Sequence, residues 1–213
     1  MSRARDLVIK AVSDRARSRR LDALLMQFPD LGRYRVLDLG GRVDTWHHAP
    51  VRPAHVTVVN LAQELVYSGE QWASLLAGDA CDDGLLAGEE FDLVFSNSLL
   101  EHVGGHVRRM QCAATVRRLA PRWWVQTPYR HFPVEPHFLC PGMQYLPTAG
   151  RIRVAQVWPL AHAGRLRDEG AAAEAVLDIE LLDTKQFVLL FPDSTVLRER
   201  FAGLTKSLIA LKT

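Results

Sequence analysis

Cysteine is scarce in this chain. Cys81, Cys112 and Cys140 lie far apart, without a Cys-x-x-Cys pair. That spacing excludes a disulfide framework and the usual zinc patterns, and it fits a reducing cytoplasm. Long apolar runs are also missing. No stretch reaches the ~20 apolar residues of a membrane span, and the first residues lack the hydrophobic segment of a signal peptide. Excess charge is slight: 26 Lys and Arg stand against 24 Asp and Glu, a formal net charge of +2. A duplex-DNA-binding protein would carry a stronger basic excess or a basic stripe. There is no Gly-x-Gly-x-x-Gly fingerprint, which argues against a dinucleotide-linked oxidoreductase. The chain has no visible repeat or low-complexity segment.

What is present suits one soluble domain. The chain has 213 residues, 48% of them hydrophobic and 23% charged, enough to bury one sizeable core. Charge is uneven along it. Between Met1 and Arg35 nine basic residues face four acids. Residues 1–30 are expected to form a basic helical segment with Leu7, Leu21, Leu24 and Leu25 packed inward. Such a helix is also a candidate for peripheral contact with an anionic membrane surface. Residues 31–213 are expected to form a single domain.

Short β-branched runs follow: Arg35 to Leu39, His55 to Leu61, Phe91 to Phe95 and Arg122 to Thr127. Helix-like stretches lie at Ala62 to Leu76 and Leu99 to Leu119, the second with Arg108, Arg109, Arg117 and Arg118 on its polar side. This alternation predicts an α/β fold with a mostly parallel sheet. Near the end, Asp183-Thr184-Lys185 reads as a cap before a short helix closing near Phe191-Pro192. Thr195 to Phe201 and Ser207 to Leu211 read as an antiparallel pair at the sheet edge. The stretch 131–181 reads as an insertion over the strand ends.

Ligands of open α/β sheets bind beyond the carboxyl ends of the strands. Four such ends carry polar groups here. Asp38-Leu39-Gly40-Gly41 supplies glycines that let the backbone approach a ligand. Asn60-Leu61 follows about 20 residues on, where a side chain can reach ribose hydroxyls. Asp79-Ala80 can meet an adenine edge, and Ser96-Asn97 forms a short polar floor ahead of Glu101-His102.

In order, VLDLGG, VTVVNL, GDACD and FDLVFSNSLLEHV resemble the motifs of class I S-adenosylmethionine-dependent methyltransferases. The later segments WWVQTPYRHFPVEPHFLCPGMQYLP, TKQFVLLFPD and ERFAGLTKSLIAL are similar to a bacterial branch of the type 11 methyltransferases. The resemblance spans roughly Arg35 to Lys212. It implies a Rossmann-like, seven-stranded sheet with an antiparallel C-terminal edge pair and helices on both faces. It implies S-adenosyl-L-methionine as cofactor, leaving as S-adenosyl-L-homocysteine. Asp38, Gly40 and Gly41 would surround the methionine end, Asn60 and Leu61 the ribose, and Asp79 and Ala80 the adenine. Ser96, Asn97 and His102 would lie beneath the sulfonium. Two positions depart from the pattern. Arg42 stands where the second glycine is usual, and Asn60 replaces the usual acid, so a bidentate contact to the ribose is lost.

Tyr129 to His137 is dense in functional groups, and Pro128, Pro133 and Pro136 stiffen it. Tyr129, Arg130 and His131 are candidate substrate contacts. His137, His131 and His102 are candidate bases for a hydroxyl acceptor, with Glu135 placed to orient one of them. Adjacent His47-His48 with Asp44 lacks a third spaced ligand, so no metal is expected. The expected acceptor is a small molecule, with a sugar, glycan or glycolipid-precursor hydroxyl foremost. The expected protein is a monomer or homodimer. Competing readings are an inactive scaffold that keeps the fold, motivated by Arg42 and Asn60, an NAD-linked oxidoreductase, and an RNA methyltransferase.

Overall fold

Side chains on a strand alternate between the two faces of a sheet, and this chain uses the alternation to build two cores. In the computed structural model, which describes residues 18–66, 69–161 and 164–213, the strands are β1 (Arg35–Leu39), β2 (His55–Asn60), β3 (Ala73–Ala77), β4 (Leu93–Asn97), β5 (Trp123–Pro128), β6 (Val134–Glu135), β7 (Cys140–Pro141), β8 (Thr195–Phe201) and β9 (Leu204–Lys212). The helices are α1 (residues 18–27), then α2 (Val43–His47), α3 (His106–Leu119), α4 (Thr148–Val157), α5 (Glu169–Leu177) and α6 (Thr184–Leu190).

Seven strands form one sheet in the order β3-β2-β1-β4-β5-β9-β8. Strands β1 to β5 pair in parallel, and β9 and β8 close the edge antiparallel. This is the Rossmann-like arrangement expected. One face buries Leu37, Leu39, Val94, Trp123 and Val125 under α3 and α6. The other buries Val36, Val56, Val58, Phe95 and Trp124 with Trp46 of α2 and with Leu21 and Leu24 of α1. Leu21 and Leu24 are thus inward on α1, and Leu25 is partly buried against the same core. Arg3, Arg5, Leu7, Lys10, Arg15 and Arg17, the rest of the expected basic helix, lie outside the described residues. No described helix is long and apolar enough to cross a membrane.

Three sequence expectations need correction. Residues 62–76, expected as a helix, make a 3₁₀ turn (Ala62–Glu64) and then β3. Parallel pairing of β3 with β2, from Val56↔Ala73 to Asn60↔Ala77, supplies ladder hydrogen bonds that override the helix propensity of its Ala and Leu residues. The helix expected from Leu99 begins at His106. Gly104 and Gly105 just before it take φ of +80° and +42°, so Leu100 to His102 form a turn instead. The strand read as 91–95 is shifted by two residues and includes Ser96 and Asn97.

Residues 131–181 hold the β6–β7 pair, α4 and α5 around a small apolar cluster of Phe138, Cys140, Met143, Ala155, Ala172 and Val176. They join the sheet through the Tyr129↔Leu182 bridge and the Glu180 N–H donated to Glu101 O at 2.9 Å.

The cap read at Asp183 takes a reciprocal form. Gln186 N–H donates to Asp183 Oδ1 at 2.9 Å, and Asp183 N–H donates to Gln186 Oε1 at 3.1 Å, so two otherwise unpaired donors are satisfied. Since α6 buries Phe187 and Leu190, Asp183→Ala is expected to lower stability by about 1 kcal/mol. Urea denaturation checks this, and an unchanged midpoint would show that the capping box contributes nothing.

Candidate functional site

The sheet changes direction at β1, which has β2 on one side and β4 on the other. The crevice for a ligand opens at such a switch point. Gly40 leaves β1 with φ +74°. A Cβ on Gly40 would lie 2.8 Å from Leu99 Cδ1, and one on Gly41 would lie 2.0 Å from Asp38 Oδ2. Both glycines are therefore required by what is packed beneath the turn. Asp38 is fully buried there, with Trp46 Nε1–H donating to its Oδ2 at 2.8 Å and no partner for Oδ1. Burial pushes its pKa up to about 7 against the opposing hydrogen bond from Trp46. Asp38 supports the turn from below, and Gly40 is the part that faces the crevice.

That crevice is a cavity of about 710 Å³ lined by Gly40, Asn60, Leu61, Asp79 and Ala80. Three of the four strand ends singled out in the sequence supply lining residues. Other walls were not foreseen. Gln63 and Glu64 come from the 3₁₀ turn, Arg108 from α3, and Glu174 and Asp178 from α5 and its end. Asn60 is tied locally, donating to Gly41 O at 3.3 Å and accepting from Leu61 N–H at 2.9 Å. Asp79 accepts from Cys81 N–H at 2.9 Å and from Arg108 at 2.7 Å. Burial raises its pKa, but the Arg108 guanidinium and the Cys81 N–H outweigh that and hold it below the usual carboxylate value. Arg108 is the one Arg or Lys among the described lining residues, against Glu64, Asp79, Glu174 and Asp178. The cavity is therefore electronegative.

Ser96 and Asn97 do not line it. Ser96 Oγ–H donates to Leu39 O at 3.0 Å in the core. Asn97 shares the face of Leu93 and Phe95, where its Oδ1 accepts from Arg20 at 2.6 Å. Arg20 also pairs with Glu199 at 2.8 Å, so these residues tie α1 to β4 and β8. The neighbouring Ser98, with φ +59°, lines the cavity instead.

Glu101, His102 and His137 meet at the rim. Glu101 is fully buried; Thr127 Oγ1–H donates to its Oε2 at 2.9 Å, and its Oε1 has no hydrogen bond. Burial raises its pKa, opposed by its own backbone N–H, by His102 and His137, and by Thr127. His137 Nε2 lies 4.0 Å from Glu101 Oε1, and Nδ1–H donates to Glu135 Oε1 at 2.7 Å. Burial pulls the imidazolium pKa down, but Glu135, Glu101 and Asp178 together hold it above the usual value. Glu135 is held in turn by Phe138 N–H at 2.7 Å. The His102 and His137 rings stand perpendicular with centroids 4.9 Å apart. Arg109, read in the sequence as part of a polar face, is buried and donates to Leu100 O and Glu180 O, both at 3.3 Å. It fixes the turn that carries Glu101.

A second cavity of about 670 Å³ lies under 131–181, lined by Arg130, Glu135, Phe138, Gln144, Tyr145 and Arg151 among others. Of the three expected substrate contacts, Arg130 lines it. Tyr129 packs against the main core, and exposed His131 stacks on Tyr145 with centroids 6.2 Å apart. Glu135 borders this second cavity and His102 the first, so the Glu135–His137–His102 series bridges the two. His47 is placed elsewhere, against Trp72 and Glu70.

No protein-family profile matches the chain, and no curated protein matches its sequence. Solved structures do match. An O-methyltransferase family protein from Burkholderia thailandensis superimposes with a TM-score of 0.55 at 14% identity, over all of this chain and 60% of that one. The N-terminal domain of EvdMO1, solved with S-adenosylhomocysteine and D-fucose, gives 0.53 at 18% identity, covering 92% of this chain and 80% of that one. Magnesium protoporphyrin IX methyltransferase from Synechocystis PCC 6803, with bound S-adenosylhomocysteine, gives 0.52 at 13%, covering 93% and 84%. The chain spans about 60% of the length of the first of these. It has the class I methyltransferase fold.

Asp38 carries a pH prediction. Its folded pKa, about 7, stands above the ordinary 3.8. The unfolded chain releases this proton first, so the stability Asp38 contributes is full below about pH 4 and is lost as pH rises towards 7. The loss is at most of the order of 4 kcal/mol. Asp38→Asn keeps an acceptor for Trp46 and removes the titration. Denaturation at pH 4 and pH 7 should show the variant gaining on the parent as pH rises. A difference independent of pH would mean that Asp38 is ionised in the folded state.

Proposed function

We propose that this protein transfers a methyl group from S-adenosylmethionine to a hydroxyl of a small molecule, with a sugar, glycan or glycolipid precursor as acceptor. One observation carries the reading. An electronegative cavity at the switch point is bridged to a second, polar and aromatic cavity by a carboxylate-held histidine. When bound, S-adenosylmethionine supplies an electrophilic methyl group on a cationic sulfonium. The residues present fit it. The Gly40-Gly41 turn admits the methionine end, and the surplus of acids suits a ligand with two cationic groups. Asn60 and Glu64 would share the ribose, Glu64 supplying the acid that position 60 lacks. Asp79, held by Arg108, and Ala80 would take the adenine.

The chain's own task is alignment and proton removal. His137 takes the acceptor hydroxyl's proton at Nε2 while Glu135 keeps Nδ1–H in place. The first cavity would hold S-adenosylmethionine, which would supply its methyl group to that oxygen and keep the carbon–sulfur electron pair as S-adenosylhomocysteine. His102 and Glu101 flank this position. Tyr145 and Phe138 offer aromatic faces for a sugar ring, and Arg130 and Arg151 suit an acceptor that bears a phosphate or carboxylate. EvdMO1, solved with D-fucose, supports a sugar, whereas the magnesium protoporphyrin enzyme shows that the fold serves other acceptors.

Calorimetry should show binding of both S-adenosylmethionine and S-adenosylhomocysteine. No binding of either at millimolar concentration would sink the proposal in favour of an inactive scaffold. Asp79→Ala should weaken binding by about tenfold or more, as expected for loss of a hydrogen bond to a charged group; unchanged affinity would place the adenine elsewhere. His137→Asn should lower S-adenosylhomocysteine release across a panel of sugar and glycolipid-precursor acceptors by about 10²–10⁴-fold, with cofactor affinity retained. Full activity in that variant would remove His137 from the reaction.

A further inference from the structure

Three side chains beside the first cavity, which His102 lines, share one pattern. Glu101, His102 and His137 each offer one ligand atom, and these atoms lie within 4.8 Å of one another. Each side chain is also held from behind. Thr127 Oγ1–H donates to Glu101 Oε2 at 2.9 Å, His137 Nδ1–H donates to Glu135 at 2.7 Å, and His102 Nδ1 lies 3.2 Å from Asp178 Oδ2. Glu101 Oε1 and His137 Nε2 lie 4.0 Å apart, and a ring nitrogen of His102 lies within 4.8 Å of the ligand atoms of both. Histidines oriented from behind by carboxylates are the usual support of a metal site.

A second observation stands apart from the cluster's composition. Glu101 is fully buried, yet its Oε1 has no hydrogen-bond partner. An orphaned carboxylate oxygen out of water is costly unless something positive meets it. The nearest candidate, His137 Nε2, stops at 4.0 Å, too far for a hydrogen bond. A cation drawn in between would meet this oxygen and a ring nitrogen of each histidine.

We propose that Glu101, His102 and His137 together bind one divalent first-row transition-metal ion, such as Mn²⁺, Fe²⁺, Co²⁺ or Zn²⁺. Two imidazoles and one carboxylate favour these ions over Mg²⁺ or Ca²⁺, which prefer all-oxygen sites. Three protein ligands leave coordination positions open, and the first cavity, which His102 lines, would make them reachable by a small molecule. The sequence expectation of no metal rested on the scattered cysteines and on His47-His48 with Asp44, none of which belongs to this cluster. The ion's role in turnover rests on the methyl-transfer reading but replaces the proton step given there: with an ion bound, His137 Nε2 is a ligand and no longer the base, and the ion would hold the acceptor oxygen and ease loss of its proton to water. Ion binding itself does not rest on that reading.

The test is titration of tag-free, chelator-stripped full-length protein with CoCl₂, followed by visible absorption and by equilibrium dialysis. One Co²⁺ per chain is expected, with the bands of a nitrogen- and oxygen-ligated ion and no thiolate charge-transfer band. His102→Ala and His137→Ala should abolish this binding. Glu135→Gln should weaken it by about 10–100-fold through loss of the supporting hydrogen bond. Glu101→Gln should also abolish it. Since Glu101 is fully buried, circular dichroism must show that this variant folds, and partly exposed His102 keeps the test independent of it. No stoichiometric binding, a thiolate-ligated ion, or binding retained in both histidine variants would overturn the site. Calorimetry with S-adenosylhomocysteine on the same samples separates the two proposals. Nucleoside binding without Co²⁺ binding overturns only the metal site. Co²⁺ binding by the wild type that is lost in the histidine variants supports the metal site even where no nucleoside binds.

Discussion

Parallel pairing of β1 with both β2 and β4 is the constraint on which the other features depend. Chain connections on the two sides of β1 run in opposite directions, so the strand ends there are left open. The glycine turn after β1 can close down only because Gly40 and Gly41 have no Cβ to strike Leu99 and Asp38. Buried Asp38, held by Trp46, fills the space beneath. The cavity above thus inherits its shape from packing below it, and the carboxylate that supports the turn is kept away from the ligand side.

The rim of the cavity depends on a different kind of hold. Glu101 sits on a turn, not on a strand or helix, yet it is fully buried. Buried Arg109 grips the carbonyls of Leu100 and Glu180, and Glu180 N–H reaches Glu101 O. The stretch 131–181 is thereby fastened to the turn that carries Glu101 and His102. His137 comes from that stretch and His102 from the turn, so their approach is a product of this fastening. Arg20, bridging Asn97 and Glu199, does similar work on the opposite face, where it ties α1 to the sheet.

Much of the architecture was legible in residue order. The β-branched runs at 35–39 and 55–60, the cap at Asp183 and the closing pair at the C-terminal edge all carried local signals strong enough to read. Residues 73–77 did not, because Ala-Ser-Leu-Leu-Ala favours a helix in isolation and becomes a strand only through its ladder to β2. With β4 running to Asn97, that residue falls on the face of α1, and Ser98 takes the position at the cavity.

Sequence alone determined the fold class and the Gly40, Asn60 and Asp79 positions at strand ends, because turns and strand ends are written in contiguous residues. Tertiary structure decided which polar groups meet. Glu64, Arg108, Glu174 and Asp178 reach the cavity from elements whose facing depends on long-range packing, and no local spacing encodes that. The same holds for Glu101, His102 and His137. Adjacent Glu101 and His102 were visible as a pair, but only the docking of 131–181 on the sheet set His137 4.0 Å from Glu101 and left a buried carboxylate oxygen without a partner.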